Sequence, residues 1–297
     1  MTTPRSLLVS NTQPMFYHLV SRCVRQSWLC GKHNGKDYSH RKDWLLDRLH
    51  QLGRAFAIQV HAYAIMSNHF HLVVYYDPTI AAKWSDEDVA DRWLRACPPM
   101  TRCGLLDTER LPQQRRSILD DSERLRHIRA QLGSQSTFMQ MLKQPIARRA
   151  NLEDKCTGHF FENRFYSGAL LSEEAILAAM AYVDLNPIRA KIAKTLEGST
   201  HTSIAERLNS GAFDLEEKMT PIVCGFVKAK YVIKVRLGVY LEQLNLLMNS
   251  NLSDLKQLKW QQRVATLRKR QRAYGNKSEL QHWLGQRGMQ WREVSFP

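Results

Sequence analysis

Two histidines one residue apart lie within an apolar, β-branched stretch of the chain, residues 64–75. On a β-strand, alternate side chains point to the same face, so His69 and His71 would share one face while Phe70 lies on the other. Two imidazoles on one face, each with a free nitrogen, form half of a metal site. The alternative is a pair of histidines on the solvated face of a strand, and the spacing alone leaves both interpretations open.

A second pair of candidate residues lies far downstream, in a segment with helical apolar periodicity. Tyr182 and Asn186 are four residues apart, so on a helix they lie ~40° apart. A tyrosine hydroxyl is a poor nucleophile at neutral pH, because its unperturbed pKa is ~10. Near a divalent cation that polarises a phosphodiester, however, a phenolate can attack phosphorus. Two imidazoles and the Asn186 amide oxygen would bind Mn²⁺ readily and Mg²⁺ less tightly, leaving positions for phosphate oxygens and water.

The periodicity of the flanking sequence predicts the elements that must position these residues. Strands are predicted at 16–24, 57–66, 69–76 and 167–171, and helices at 40–56 and from 172 to the residue before Pro187. Strand–helix–strand–strand followed by a fourth strand and a helix is typical of a ferredoxin-like fold. We therefore expect an α+β, ferredoxin-like (RRM-like) domain whose antiparallel sheet has its helices on one face. Because Pro187 disfavours the α conformation before it, Asn186 could equally be a helix C-cap.

The chain divides by composition into a short tail at 1–14, a first domain at 15–208 and a basic region at 209–297. A helical insert is expected at 85–153, starting with Ser85 as the N-cap of a helix whose first turn is acidic. Within the insert, 97–112 is predicted to be a loop, and 121–132 and 136–153 are predicted to be helices. The region after 208 is predicted to be mostly helical.

The charge of the chain indicates an anionic partner. Lys and Arg number 43 against 28 Asp and Glu, a formal net charge of +15, with a pI of about 9.7. Residues 218–297 hold 15 Lys and Arg against 4 Asp and Glu. Such a balance favours nucleic acid or an anionic surface. One long helix is predicted to carry seven of these basic residues: Lys256, Lys259, Arg263, Arg268, Lys269, Arg270 and Arg272.

Two interpretations of this basic region remain open. It could hold DNA through its basic residues. Alternatively, its apolar residues Trp260, Leu267, Trp283 and Leu284 could pack onto the core while the basic side chains face water.

Several other classes of protein lack support in the sequence. No apolar run approaches the ~20 residues that span a bilayer, and residues 1–14 have no continuous apolar stretch of the kind that directs export. The six cysteines form no Cys-x-x-Cys pair, which favours free thiols in a reducing cytoplasm. The sequence contains no Gly-rich phosphate loop, His-Glu-x-x-His or Gly-x-Ser-x-Gly motif. We therefore expect a cytoplasmic protein that is not an NTPase of the P-loop type, a zinc protease or a serine hydrolase.

Two motifs together resemble a known family. His69-Phe70-His71 resembles the His-hydrophobe-His motif of HUH endonucleases. Residues 182–190, Tyr-Val-Asp-Leu-Asn-Pro-Ile-Arg-Ala, resemble the Tyr-x-x-x-Asn-Pro-x-Arg-Ala signature of REP-associated tyrosine transposases, which belong to the single-tyrosine HUH superfamily. Further matching stretches lie at 17–22, 62–69 and 158–165, so the resemblance covers about residues 15–208.

The resemblance implies a metal-dependent enzyme that nicks and rejoins single-stranded DNA at palindromic hairpin repeats. Tyr182 would attack the scissile phosphate and form a 5′-phosphotyrosine. His69 and His71 would bind Mg²⁺ or Mn²⁺, and Asn186 matches the place of a third, amide-bearing ligand. Implied partners are single-stranded or hairpin DNA and no membrane, with the protein acting as a monomer or homodimer.

Several further residues are candidates for contact with DNA. Phe160, Phe161, Phe165 and Tyr166 could stack on bases, although about half of them must face the core if they lie on a strand. The candidate phosphate-binding residues, drawn from the matching segments, the insert and the basic region, are Arg22, Arg164, Arg189, Arg148, Arg149, Lys259, Arg263, Arg268, Lys269 and Arg270.

Other assignments remain open at the level of sequence. Tyr63, Tyr75 or Tyr76, on strands near the histidines, could replace Tyr182 as the nucleophile. A non-catalytic regulator that binds hairpin DNA or RNA would need neither a nucleophile nor a metal. A replication or mobilisation nickase would use the same residues as a transposase.

Overall fold

A mixed sheet lies at the centre of the protein. The computed structural model describes residues 3–10, 12–24, 27, 30–33, 35–209, 211, 214–224, 231–249 and 255–297. Its strands are β1 (Met15–Arg22), β2 (Lys32–His33), β3 (Lys36–Asp37), β4 (Ile58–Ile65), β5 (His69–Tyr76), β6 (Tyr166–Leu170), β7 (Val223–Cys224) and β8 (Ala273–Tyr274). Within these residues six strands form one sheet in the order β7-β4-β5-β1-β6-β8, and β2 pairs with β3.

The four long strands confirm the predicted ferredoxin-like arrangement. They are antiparallel and lie in the order second, third, first, fourth along the chain. This order places β1 between β5 and β6, at the centre of the sheet. The expectation of a wholly antiparallel sheet is wrong at one edge, because β8 pairs with β6 in parallel.

The helices agree with the predicted periodicity over much of the chain. They are α1 (Arg5–Leu8), α2 (Arg41–Gly53), α3 (Asp86–Ala96), α4 (Leu111–Leu119), α5 (Ser122–Leu132), α6 (Gln135–Glu153), α7 (Glu173–Asp184), α8 (Asn186–Arg189), α9 (Ser203–Asn209), α10 (Leu237–Met248), α11 (Leu255–Thr266) and α12 (Lys277–Gly285). Ser85 caps α3 as predicted, accepting a hydrogen bond from the backbone N–H of Asp88. No helix in the described ranges is both long and apolar enough to cross a membrane.

The prediction that the helices lie on one face of the sheet is wrong. Alternate residues of β5 enter two separate cores: Leu72 belongs to the core that contains Leu49 of α2, whereas Val73 belongs to the core that contains Met180 of α7. The insert helices α3–α6 extend the layer that contains α2. Helix α7 therefore lies on the other face, which is also the face of the two histidines.

Helix α7 is buried on nearly every side, as expected of a helix that is apolar all round. One side packs on β4, β5 and β6, and another contacts α11. In the C-terminal region, Leu267, Trp283 and Leu284 are buried, and Trp260 packs against the core that contains α7. The packing interpretation of this region is therefore confirmed for all four apolar residues.

The predicted long basic helix is wrong. Helix α11 ends at Thr266, so Arg268, Lys269, Arg270 and Arg272 lie beyond it. The chain turns because Leu267 is buried and because the Tyr274 hydroxyl donates to the backbone carbonyl of Lys269 over 2.7 Å. The turn brings the chain alongside β6, where it forms β8.

A buried carboxylate joins the end of α7 to two other parts of the chain. Asp184 accepts hydrogen bonds of 2.7 Å from the Ser203 hydroxyl, on α9, and from the Tyr240 hydroxyl, on α10. The Ser203 hydroxyl also accepts a hydrogen bond from the backbone N–H of Tyr63 on β4. Burial raises the pKa of Asp184 to about 6, and the two hydroxyl donors oppose that rise. The network therefore fixes the last turn of α7 against both the sheet and the C-terminal region.

Replacing Tyr240 with Phe should lower the free energy of unfolding by about 1–3 kcal/mol at pH 7, because a buried carboxylate loses one of its donors. Loss of that donor raises the pKa of Asp184 further above its ordinary value of 3.8. A carboxyl with a raised folded-state pKa adds stability at low pH and loses it as pH rises through that pKa. The deficit, measured by urea unfolding, should therefore shrink between pH 7 and pH 5.

Tyr75→Phe is the matched control, because within the described residues the Tyr75 hydroxyl makes no hydrogen bond. Equal losses for the two variants, or a deficit for Tyr240→Phe that grows toward pH 5, would contradict the proposed contribution of the Asp184 network.

Candidate active site

The register of the sheet sets the positions of the two motif histidines. His69 pairs with Arg22 and His71 pairs with Val20 across β1 and β5. The two imidazole rings lie 4.8 Å apart, centroid to centroid, on the face covered by α7. His71 is buried, whereas His69, at the start of β5, is partly exposed. The alternative of two histidines on a solvated face is therefore wrong for His71, which is buried.

A third histidine, which the sequence did not single out, belongs to this cluster. His18 on β1 is diagonal to His71, and its Nε2 lies 2.9 Å from His71 Nδ1. The two rings are stacked at 17°, with centroids 5.1 Å apart. The available signal was the alternation of β1, which gives His18 the same face as Val20 and Arg22; only the register with β5 brings it to His71.

The neighbours of each ring assign its protons. His69 Nδ1 lies 2.6 Å from the Asn68 side-chain oxygen, which can only accept, so Nδ1 carries the proton and Nε2 has the free electron pair. The Asn186 amide nitrogen lies 3.3 Å from His71 Nε2 and donates to it. His71 Nδ1 therefore carries the proton and donates to His18 Nε2. His18 Nδ1 is then protonated, buried and without a partner among the described residues.

The site keeps its histidines neutral. Burial lowers the pKa of His18 to about 3 and that of His69 to about 4, and it holds the pKa of His71 well below its usual range. The positive charges of Arg22 and Arg270 lower the pKa of His69 further. At neutral pH the rings are therefore in the form that can donate an electron pair to a cation.

Tyr182, near the end of α7, lies beside the histidines. Its ring centroid is 5.5 Å from that of His71 and 5.8 Å from that of His18, with the planes nearly perpendicular. The ring is partly exposed, and the Arg189 guanidinium carbon lies 5.8 Å from its centroid. Within the described residues the Tyr182 hydroxyl makes no hydrogen bond, so it is available to a substrate.

The rival tyrosines are occupied or distant. The Tyr63 hydroxyl donates to Glu206 over 2.5 Å, and the Tyr76 hydroxyl donates to the backbone carbonyl of Gly133 over 2.7 Å. Both residues belong to the core on the face opposite the histidines. Tyr75 packs on Phe16, near the far end of β5.

Asn186 is not the C-cap of α7, so that alternative is wrong. Helix α7 ends at Asp184 with Leu185 as its cap, and α8 begins at Asn186 with Pro187 in its first turn. Proline is tolerated there because the first N–H groups of a helix have no partner within the helix. The new helix turns the Asn186 amide toward His71 Nε2.

The donors at this site suit a divalent cation in chemistry, although they do not form a complete set. The unprotonated Nε2 atoms of His69 and His71 belong to side chains on the same face of β5, and that of His71 accepts a hydrogen bond from the Asn186 amide. In the described part of the chain no group of three or more His, Cys, Asp and Glu side chains could hold a metal ion. A cation here would thus need the Asn186 oxygen, reached by turning the amide over, together with water or phosphate oxygens.

The candidate DNA-contacting residues fall into separate places. Arg22, Arg189 and Arg270 lie near the histidines and Tyr182, and the charge of Arg268 acts on Arg189. Arg164 lies next to the start of β6, where its guanidinium donates to the backbone carbonyl of Thr3. Of the remaining five, Arg148 and Arg149 lie on α6, on the opposite face of the sheet, and Lys259 and Arg263 lie on α11. Lys269 is exposed and lies beyond the end of α11. The three phenylalanines proposed to stack on bases, Phe160, Phe161 and Phe165, are buried in the core.

Comparison with known proteins gives one distant likeness. No protein-family model and no curated protein matches the chain. Among solved structures, the chain is similar to a REP-associated tyrosine transposase bound to a REP hairpin, with a TM-score of 0.42 and 11% sequence identity. The alignment covers 78% of this chain and 99% of that chain. At these values the relationship is a distant structural one.

Proposed function

We propose that the protein is a metal-dependent, transposase-like endonuclease and strand transferase that nicks and rejoins single-stranded DNA at palindromic hairpins through a 5′-phosphotyrosine. The observation that carries this proposal is the position of Tyr182. Its free hydroxyl belongs to a ring 5.5 Å from His71, whose Nε2 adjoins the Asn186 amide. A nucleophile beside neutral imidazoles and cationic side chains suits attack on a phosphodiester.

The bonds exchanged in the reaction balance without an external energy source. The Tyr182 oxygen forms a bond to phosphorus, and the bond from phosphorus to the 3′ oxygen breaks. The Tyr182 hydroxyl loses its proton, and the departing 3′ oxygen takes up a proton to become a hydroxyl. The phosphodiester energy remains in the tyrosyl ester. A 3′-hydroxyl can then reverse the attack and join the strands.

The protein's own groups prepare this exchange. His69 and His71 would hold the cation with the oxygen of Asn186, and a bound divalent cation supplies polarisation of the phosphate. Arg189, whose guanidinium carbon lies 5.8 Å from the centroid of the Tyr182 ring, places a second positive charge beside the proposed nucleophile, where it could contact the phosphate. Arg22, opposite His69 on β1, places positive charge where the non-bridging phosphate oxygens would lie.

Tyr182→Phe should abolish covalent capture of DNA and keep binding, because only the nucleophilic oxygen is lost. The measurement uses single strands with a palindromic hairpin, labelled at either end and incubated with Mg²⁺ or Mn²⁺. Denaturing gels should show protein attached to the 5′ side of the cut, and anisotropy should show unchanged affinity.

Tyr75→Phe, on the same face of the sheet, is the matched control and should still form the adduct. Normal cleavage by Tyr182→Phe would place the nucleophile elsewhere. Binding by the unaltered protein with no adduct under any condition would favour the non-catalytic regulator.

His69→Ala should lose both cleavage and Mn²⁺ binding, since it removes one of two imidazole ligands. Calorimetric titration with Mn²⁺ measures the second effect without DNA. His127→Ala, on α5 of the insert, is the control and should bind Mn²⁺ as before. Full Mn²⁺ affinity in His69→Ala would remove His69 from the proposed ligands.

His18→Phe should weaken Mn²⁺ binding by roughly 10- to 100-fold, the usual effect of removing the partner that orients a ligating histidine. Phe preserves the stacked ring but cannot accept the proton of His71 Nδ1. His61→Phe is the control, because His61 is also buried and neutral, with a pKa lowered by burial to about 3, yet packs on Phe16 instead. Unchanged Mn²⁺ affinity in His18→Phe would reduce His18 to a packing role.

A further inference from the structure

A small basic cavity of about 280 Å³ lies beside the histidine cluster, at the start of β6. One wall comes from α1 and the residue Thr3, and another comes from the segment 270–272, which leads into β8. We call this cavity the arginine cleft. Four arginines line it: Arg5, Arg164, Arg270 and Arg272.

The charges in the arginine cleft are mostly unbalanced. Of its four arginines, Arg272 is paired with Glu293 through two hydrogen bonds of 2.5 and 3.0 Å. The lining contains one carboxylate, that of Glu162. Among the described residues neither Arg5 nor Arg270 forms an ion pair with a carboxylate. The cleft therefore has an excess of positive charge with no protein anion to match it.

Arg5 is held in place yet incompletely satisfied. Its guanidinium carbon lies 3.6 Å from the centroid of the Phe165 ring, and Nη2 donates to the Phe165 backbone carbonyl over 3.0 Å. Its Nη1 is buried and has no hydrogen-bond partner in the described residues. A buried N–H donor without an acceptor costs free energy, so a ligand oxygen at this position would be stabilising.

The arginine cleft lies within reach of the same DNA strand as Tyr182. Val20 pairs with His71 on one side and with Tyr166 on the other, so the cleft is two strand spacings from His71, roughly 10 Å. The Tyr166 ring, which lines the cleft, is 6.0 Å from that of His18. The Arg270 guanidinium carbon lies 5.9 Å from the centroid of the same Tyr166 ring.

The wall that carries Arg270 is fixed to the sheet. The Tyr166 hydroxyl donates to the backbone carbonyl of Gln271 and lies 2.6 Å from the Tyr274 hydroxyl. A side chain at Gly168 would collide with both tyrosines, so the close approach of this segment to β6 requires glycine there. Arg270 itself is exposed, and no described residue hydrogen-bonds to it.

We propose that the arginine cleft binds a backbone phosphate of the single DNA strand that runs to Tyr182, with Arg5 and Arg270 as its principal donors. This inference rests on the proposed function. Guanidinium groups recognise phosphate through paired N–H donors, and Nη1 of Arg5 gains an acceptor in the complex. Because the two arginines come from α1 and from the segment before β8, the bound strand would join the N-terminal and C-terminal regions across β6.

The test measures binding of a fluorescein-labelled oligo-dT strand by anisotropy at several salt concentrations, with Tyr182→Phe in every protein to prevent covalent capture. Arg270→Gln and the double variant Arg5→Gln/Arg270→Gln are compared with a charge-matched control, Arg102→Gln/Lys277→Gln, whose two residues are exposed and outside the cleft. Thermal melting checks that each variant is folded.

Arg270→Gln should weaken binding roughly tenfold, as expected for loss of a charge-assisted hydrogen bond. It should also flatten the slope of log affinity against log salt by about 0.7, the value for one phosphate contact on a single strand. The double variant should show about twice the change in slope. Affinity and slope equal to those of the control would overturn the proposal, and Arg270→Gln decides alone if the double variant does not fold.

Three further outcomes test the inference, and the last two separate it from the proposed function. An equal loss of affinity for a blunt duplex would overturn the assignment to a single strand. If the protein with Tyr182 unaltered forms the adduct but Arg270→Gln binds DNA as before, the proposed nuclease activity is supported and the phosphate site in the arginine cleft is contradicted. Weakened binding in Arg270→Gln with no adduct in the unaltered protein would support the cleft and contradict the nuclease.

Discussion

The buried carboxylate of Asp184 is the constraint on which the arrangement of the site depends. It lies between Tyr182 and Asn186 in sequence and holds the end of α7 through hydroxyl donors from Ser203 and Tyr240. Burying a carboxylate is costly unless donors surround it, so these contacts strongly favour one placement of this turn. Tyr182 and Asn186, on either side of Asp184, are thereby held against the histidines.

The three neighbouring histidines are kept neutral by burial, and hydrogen bonds fix which nitrogen of each ring carries the proton. His18 and His71 are buried, so adding a proton to either ring would be costly. His71 Nδ1 donates a hydrogen bond to His18 Nε2. That direction leaves His71 Nε2 with its electron pair facing Asn186. The stacking of His18 on His71 and the 2.9 Å contact between their nitrogens fix the orientation of the His71 ring.

Much of this could be predicted from local patterns, and what could not depends on contacts between distant segments. Strand β5 follows from periodicity alone and was predicted with its observed limits. Periodicity also predicted the helix that carries Tyr182, but that helix ends at Asp184, and Asn186 begins the next one. The register shift between Val60 and Ala62 could not be predicted, although it changes which residues of β4 face α7. Nor could the role of His18, because a single histidine on a strand has no meaning until the neighbouring strand and its register are known.

The C-terminal region illustrates why charge was an incomplete guide. Its excess of lysine and arginine predicted one continuous basic helix, yet the helix stops where Leu267 becomes buried, and the chain continues as an edge strand of the sheet. The same turn that interrupts the helix brings Arg270 beside the histidines. Apolar residues thus decide the path of this region, and its charges lie where that path takes them. The packing of this region and the position of Arg270 are therefore consequences of one arrangement, since Arg270 lies in the segment that leads into β8 and completes the sheet.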